Sequence, residues 1–171
     1  GTEFTIHGKF YNGERISISI PGDFNVYNAL AAIAVATVYG IEINVISKAL
    51  KATAIAGRME IYKMADRTVV VDYAHNGLSF EGIFRYAKKF FGENRIICLF
   101  GCPGNKALDR RKDLAEVAGV NADHIILTSD DPANEAPEDI ISQIEAYLAP
   151  LTANYEKIVD REEAIMRAAE I

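Results

Sequence analysis

The sequence predicts an α/β fold: a mostly parallel sheet with helices on both faces, preceded by a β-hairpin and two helices. Three observations carry this reading. Short apolar or β-branched runs recur at Thr68 to Asp72, Arg95 to Phe100, His124 to Thr128 and Tyr155 to Val159. Each is followed by a helix-length stretch, and strands that alternate with helices imply a parallel sheet covered on both sides. The first 57 residues lack that alternation.

Taken in order, Phe4 to Ile20 reads as a β-hairpin. Ile16, Ile18 and Ile20 alternate with serines, and Asn12-Gly13 is the expected turn. Asp23 to Tyr39 reads as a helix rich in Ala, Val and Leu, stopped by Gly40. Its apolar residues lie on most faces, which predicts burial on several sides. A short helix, roughly Asn44 to Ala52, follows. A hairpin and an apolar helix bury too little surface alone, so residues 1–57 read as the tail of a truncated upstream domain. From Arg58 the alternating pattern begins, with helices expected at Leu78 to Phe91, Leu108 to Val120, Pro137 to Leu148 and Arg161 to Ile171. The chain ends on a helix, where one more strand would be natural.

Composition narrows the function classes. The chain has 171 residues, half of them hydrophobic, and a formal charge of -6 with scattered basic residues. A nucleic-acid-binding surface would call for clustered Lys and Arg, so none is expected. The first ten residues have neither the basic start nor the apolar core of a signal peptide. The longest apolar stretch, Ala29 to Tyr39, is too short to span a bilayer, and no membrane partner is expected. Two cysteines, Cys98 and Cys102, are too few for a disulfide framework or a zinc site. A buried free thiol at Cys98 and a reducing, cytoplasmic compartment follow.

Ligands of open parallel sheets bind beyond the carboxyl ends of the strands. There the sequence sets Asp72-Tyr73-Ala74-His75-Asn76-Gly77, then Gly101-Cys102-Pro103-Gly104-Asn105-Lys106 running on to Arg110-Arg111, then Ser129-Asp130-Asp131-Pro132-Ala133-Asn134-Glu135, then Asp160-Arg161. Asp160, with Glu163 three residues on, reads as a capping box. Asp130 and Asp131 repel each other unless they share a cation, which favours a ligand ammonium or a metal. His75 could be a general base, a ligand or a positioned donor. The glycines of the second loop permit close backbone approach to an anion, without matching a phosphate loop or a dinucleotide fingerprint. The residues alone give a ligand-binding α/β domain and leave the ligand open.

At these same residues the sequence resembles the Mur ligases, and within them the subgroup that adds the third amino acid of the muramoyl peptide. Gly22-Asp23-Phe24-Asn25-Val26-Tyr27-Asn28-Ala29-Leu30-Ala31-Ala32 resembles the end of the family's central ATPase domain. Gly57-Arg58 and Val71-Asp72-Tyr73-Ala74-His75 resemble the start of its Rossmann-like C-terminal domain. Phe100-Gly101-Cys102, Arg110-Arg111, Ser129-Asp130-Asp131-Pro132 and Asp160-Arg161 continue the likeness in the same order. The resemblance implies two domains, residues 1–57 and 58–171, the second lacking its last strand.

It also implies roles. Asn25, Asn28, Arg58, Asp72, Tyr73 and His75 would bind nucleotide, and Arg111 would take the carboxylate of the incoming amino acid. Asp130, Asp131 and Glu135 would make an acidic pocket for the far end of that amino acid. Relatives specific for meso-diaminopimelate resemble Asp-Asn-Pro-Arg in this loop, and here Ala133 replaces the arginine, which suits L-lysine or ornithine. The implied substrates are ATP with Mg, L-lysine and UDP-N-acetylmuramoyl-L-alanyl-D-glutamate, joined through an acyl phosphate in peptidoglycan synthesis. No residue of this stretch is expected to be catalytic or to hold a metal, because the phosphate loop falls outside it. Folylpolyglutamate synthase-like and cyanophycin synthetase-like ligases, or a non-catalytic nucleotide- or amino-acid-binding module, remain as alternatives.

Overall fold

The computed structural model describes residues 1–92 and 94–171. By its internal contacts the chain divides into two units, Gly1–Tyr73 and Ala74–Ile171.

In the first unit, β1 (Thr2–His7) and β2 (Asn12–Ile18) pair antiparallel. The chain reverses over Gly8 to Tyr11, whose backbone groups bond each other, Gly8 N–H to the Tyr11 carbonyl at 2.8 Å. The expected turn at Asn12-Gly13 is therefore corrected. Register passes from Ile6↔Glu14 to His7↔Asn12, so Gly13 is the extra residue of a bulge, with φ of 105°. Asn-Gly suits both settings because each asks for positive φ.

Helices α1 (Phe24–Val38) and α2 (Ile43–Ala52) follow. Ile6, Ile16, Ile18, Ala29, Ile33 and Ile46 form the small core of this part. Burial of α1 on several sides is also corrected: only Ala29 and Ile33 are buried along it, and Tyr27 and Val38 are 76% and 85% exposed. Then β3 (Glu60–Lys63) and β4 (Thr68–Val71) make a second antiparallel pair. Sequence reasoning missed β3 and expected the 68–72 run to join the parallel sheet. Val69 and Val71 are exposed, so this run is not the strand buried on both faces that its composition suggests.

The second unit carries the alternation. It runs α3 (Gly77–Phe91), β5 (Ile97–Phe100), α4 (Asp109–Asn121), β6 (His124–Leu127), α5 (Pro137–Leu148), β7 (Tyr155–Lys157) and α6 (Arg161–Glu170). The strands form a parallel sheet in the order β5-β6-β7, with Phe100 beside Leu127 and Leu127 beside Lys157. The three carboxyl ends thus finish level, and their loops open at one edge.

Side chains on a strand alternate between faces. Ile125 and Leu127 of β6 enter a core with Phe80 and Phe84 of α3, Leu114 and Ala118 of α4, and Ile140, Ile144 and Leu148 of α5. Phe80 meets Phe84 and Phe100 edge-on, with centroids 5.8 and 5.3 Å apart. Ile126, wholly buried, takes the opposite face, and α6 packs on β5 and β6 with Ala164 also wholly buried. Helices therefore cover both faces, as expected.

Two helix starts carry side-chain caps. The Asn76 side chain accepts from Ser79 N–H at 2.9 Å, and the Ser79 hydroxyl accepts from Asn76 N–H at 3.2 Å. Asp160 accepts from Glu163 N–H at 2.9 Å, one half of the expected capping box. Among the described residues no helix is long and apolar enough to cross a membrane.

Ile144 has no exposed surface and sits between α5 and the sheet. Ile144→Ala is expected to lower the stability of the second unit by about 2–5 kcal/mol through lost burial and an unfilled cavity. Urea unfolding followed by far-UV circular dichroism measures it; a change under 1 kcal/mol would place Ile144 outside the core.

Candidate functional site

The loop after β5 (residues 101–108), the loop after β6 (128–136) and the short turn after β7 are laced together by their backbones. Thr128 N–H bonds the Phe100 carbonyl at 3.0 Å, Ser129 N–H the Val159 carbonyl at 3.2 Å, and Gly104 N–H the Asp131 carbonyl at 2.8 Å. Arg161, at the start of α6, donates to the Ser129 carbonyl at 2.9 Å. The two loops touch so closely that a Cβ at Gly104 would stand 2.0 Å from the Pro132 carbonyl oxygen, and one at Gly101 2.3 Å from that of Thr128. Glycine here serves approach between loops, where the sequence suggested approach to an anion.

Arg111, in the first turn of α4, lies beneath this contact and is 2% exposed. Its Nη2 donates to both Glu135 carboxylate oxygens at 3.0 and 2.9 Å and to the Pro103 carbonyl at 3.3 Å. Its Nη1 donates to Gln143 Oε1 of α5. Its Nε is buried and meets no partner among the described residues. Glu135 accepts in addition from Asn105 N–H. That backbone donor first, and then the Arg111 guanidinium, hold the Glu135 carboxyl below the ordinary value of 4.5.

The acidic character expected of the third loop is largely neutralised within the chain. Glu135 belongs to Arg111, and Asp131 faces Lys106 at 3.4 Å. Lys106 thus meets one of the two adjacent acids. Asp130 is exposed and forms no ion pair among the described residues. Ala133, Asn105 and Ala107 have positive φ of 50°, 59° and 48°, a conformation in which a Cβ crowds the backbone. Both loops therefore carry strain at the rim of the same edge.

The remaining predicted residues fall as follows. Asn25 donates to the Pro21 carbonyl at 2.7 Å and Asn28 to Asn25 Oδ1 at 3.0 Å, so both line the opening turn of α1. Asp72 accepts from Met59 N–H at 2.9 Å, and Arg58 stacks over the Tyr73 ring at 4.7 Å. These five lie in the first unit. His75, half-buried in the second, donates its N–H to the Ser79 hydroxyl at 3.2 Å. Gln143 and Lys106 were not predicted as site residues, since nothing local marks them and their partners are far along the chain.

Both cysteines are free. Cys102 is buried and Cys98, expected to be the buried one, is half-buried. Burial pushes each thiol up to about 12. The described residues hold no cluster of three or more His, Cys, Asp or Glu that could bind a metal ion.

Residues 57–171 match the family model described as Mur ligase, glutamate ligase domain. Over 170 residues, 98% of this chain, the sequence is 36% identical to UDP-N-acetylmuramoyl-L-alanyl-D-glutamate–2,6-diaminopimelate ligase 2 of Clostridium acetobutylicum, covering 35% of that protein. It is 41% identical over 156 residues to the ligase of the same name, without the number, from Caldanaerobacter subterraneus subsp. tengcongensis, covering 91% of this chain and 32% of that one. A solved structure of a UDP-N-acetylmuramoyl-L-alanyl-D-glutamate–2,6-diaminopimelate ligase is similar with a TM-score of 0.62 and 30% identity, over 92% of this chain and 32% of its own. The chain thus spans about a third of the length of the curated relatives it matches.

The carboxylate of Glu135 ionises more readily folded than unfolded. Its stabilising contribution is therefore present above the ordinary carboxylate range and is lost as pH falls through its lower folded value. Glu135→Gln is expected to flatten the acid limb of Tm against pH below about 4.5. Melting curves from pH 3 to 7 check this; parallel limbs for the two proteins would contradict it.

Proposed function

Because this chain belongs to the Mur ligase family, with residues 57–171 matching its glutamate ligase domain, we propose that it forms the amino-acid-selecting part of an ATP-dependent ligase. The reaction would add a diamino acid to UDP-N-acetylmuramoyl-L-alanyl-D-glutamate in peptidoglycan synthesis. The single observation that carries the reading is the gathering of the family-like Arg110, Asp130 and Asp131 of the β5 and β6 loops, with Lys106 beside Asp131, at the level carboxyl edge of a parallel sheet. This is the edge where such sheets bind ligands.

In this reading ATP phosphorylates the D-glutamyl side-chain carboxylate, and the amine of the bound amino acid attacks the acyl phosphate and expels phosphate. The chain's part is to bind and orient that amino acid. Arg58 and Tyr73, already stacked, with Asp72, Asn25 and Asn28, would bind nucleotide, the role that the resemblance also implies for His75. Residues 1–57 would be the tail of the central ATPase domain and 58–171 the amino-acid-binding domain. The resemblance implies that magnesium would be held mainly by the central ATPase domain. The working compartment would be the cytoplasm, where free thiols persist.

For the added residue we favour L-lysine or a similar diamino acid. Ala133 offers no cation for a distal carboxylate, while Asp130, without an ion pair among the described residues, is open to an ammonium. Against this, the relatives named above are 2,6-diaminopimelate ligases, and that substrate is the second reading. ATP hydrolysis by the ligase with lysine, ornithine and meso-diaminopimelate distinguishes them. Lysine is expected to give the highest kcat/KM, by roughly tenfold, since a distal carboxylate would meet the like charge of Asp130 where an ammonium meets an opposite one. Faster turnover with diaminopimelate would overturn the lysine assignment and leave the ligase reading intact.

A further inference from the structure

We infer that Arg111 is a positioning residue: through its buried pairing with Glu135 it clamps the loop after β5 to the loop after β6, and does not itself take the carboxylate of the ligand. The inference rests on reading this edge as the amino-acid site. Four observations carry it. Arg111 is 2% exposed, so its guanidinium presents almost no surface to a ligand. Both terminal nitrogens are committed, Nη2 to Glu135 and Pro103 and Nη1 to Gln143. Glu135 in turn holds Asn105 N–H, so one carboxylate joins α4, the first loop and the second loop. The same two loops hold Asn105, Ala107 and Ala133 at positive φ, and such strain persists only where surrounding contacts over-determine it.

The consequence is geometric. Lys106 lies one residue after Asn105, and Asp131 lies four before Glu135, so their 3.4 Å pairing depends on the spacing that the clamp sets. Asp130 shares that dependence. Loss of either member of the clamp should loosen all three side chains together. A guanidinium serving as ligand partner would behave differently, because removing Glu135 would then free it and tighten binding.

The test is a double-mutant cycle in the full ligase, with Arg111→Met, Glu135→Ala and both together, reading KM for the amino acid and for ATP. Each single change is expected to raise the amino-acid KM by about tenfold, with no further rise in the double variant and ATP KM unmoved. A Glu135→Ala enzyme whose amino-acid KM is unchanged or lower, beside a raised value for Arg111→Met, would overturn the proposal. A second readout does not need activity. Hydrogen exchange of the Gly104 amide, bonded to the Asp131 carbonyl in the peptide group whose Pro103 carbonyl accepts from Arg111, should quicken in both single variants while β6 amides stay protected. Persistent protection of Gly104 in Arg111→Met overturns the clamp. Absence of ligase activity in the unmodified enzyme would sink the functional reading alone. Should a variant fail to fold, Arg111→Lys and Glu135→Asp carry the same comparison.

Discussion

A guanidinium removed almost wholly from water has to be met by an anion, because an unpaired buried charge is costly. The chain meets Arg111 with Glu135, 24 residues away, across two loops. That pairing constrains much of what surrounds it. The loop after β5 must come back over α4, the loop after β6 must descend to it, and side-chain-free residues must stand where the two backbones meet. Gly104 against Pro132 and Gly101 against Thr128 are the result. One ion pair thus dictates both the path of two loops and the composition of their crossing.

The sheet beneath provides the fixed reference. Because β5, β6 and β7 are parallel and level, loops after each open on the same side, and a short ladder of backbone bonds is enough to lace them. The helices on the two faces differ in kind. Those on one side share a large core with Ile125 and Leu127, whereas α6 presents the small Ala164 to the sheet. The site rests on a rigid floor that owes little to the site's own residues.

Much of this was legible in sequence. The apolar pattern and a leading proline placed α5 at Pro137–Leu148 to the residue, and an apolar run placed β6 within one, because both depend on local pattern. What was not legible depended on distant partners. The four-residue strand β3 has no apolar alternation of its own and exists by pairing with β4. The Asn12-Gly13 pair carries the same signal for a turn and for a bulge, and only register tells them apart. In the third loop, residue types suggested a surplus of negative charge, while Lys106 and Arg111, 25 and 24 residues from their partners, cancel most of it. Charge counted along the chain and charge felt in space are different quantities.

The two thiols have a practical bearing. Burial holds both thiols protonated at neutral pH, and the thiolate is the form that alkylating reagents attack, so Cys98 and Cys102 are expected to react slowly with them. The native chain is therefore a nearly silent background for thiol-directed labels. A single cysteine introduced on the exposed rim of the third loop would report on that rim alone, without first stripping the protein of its own sulfurs.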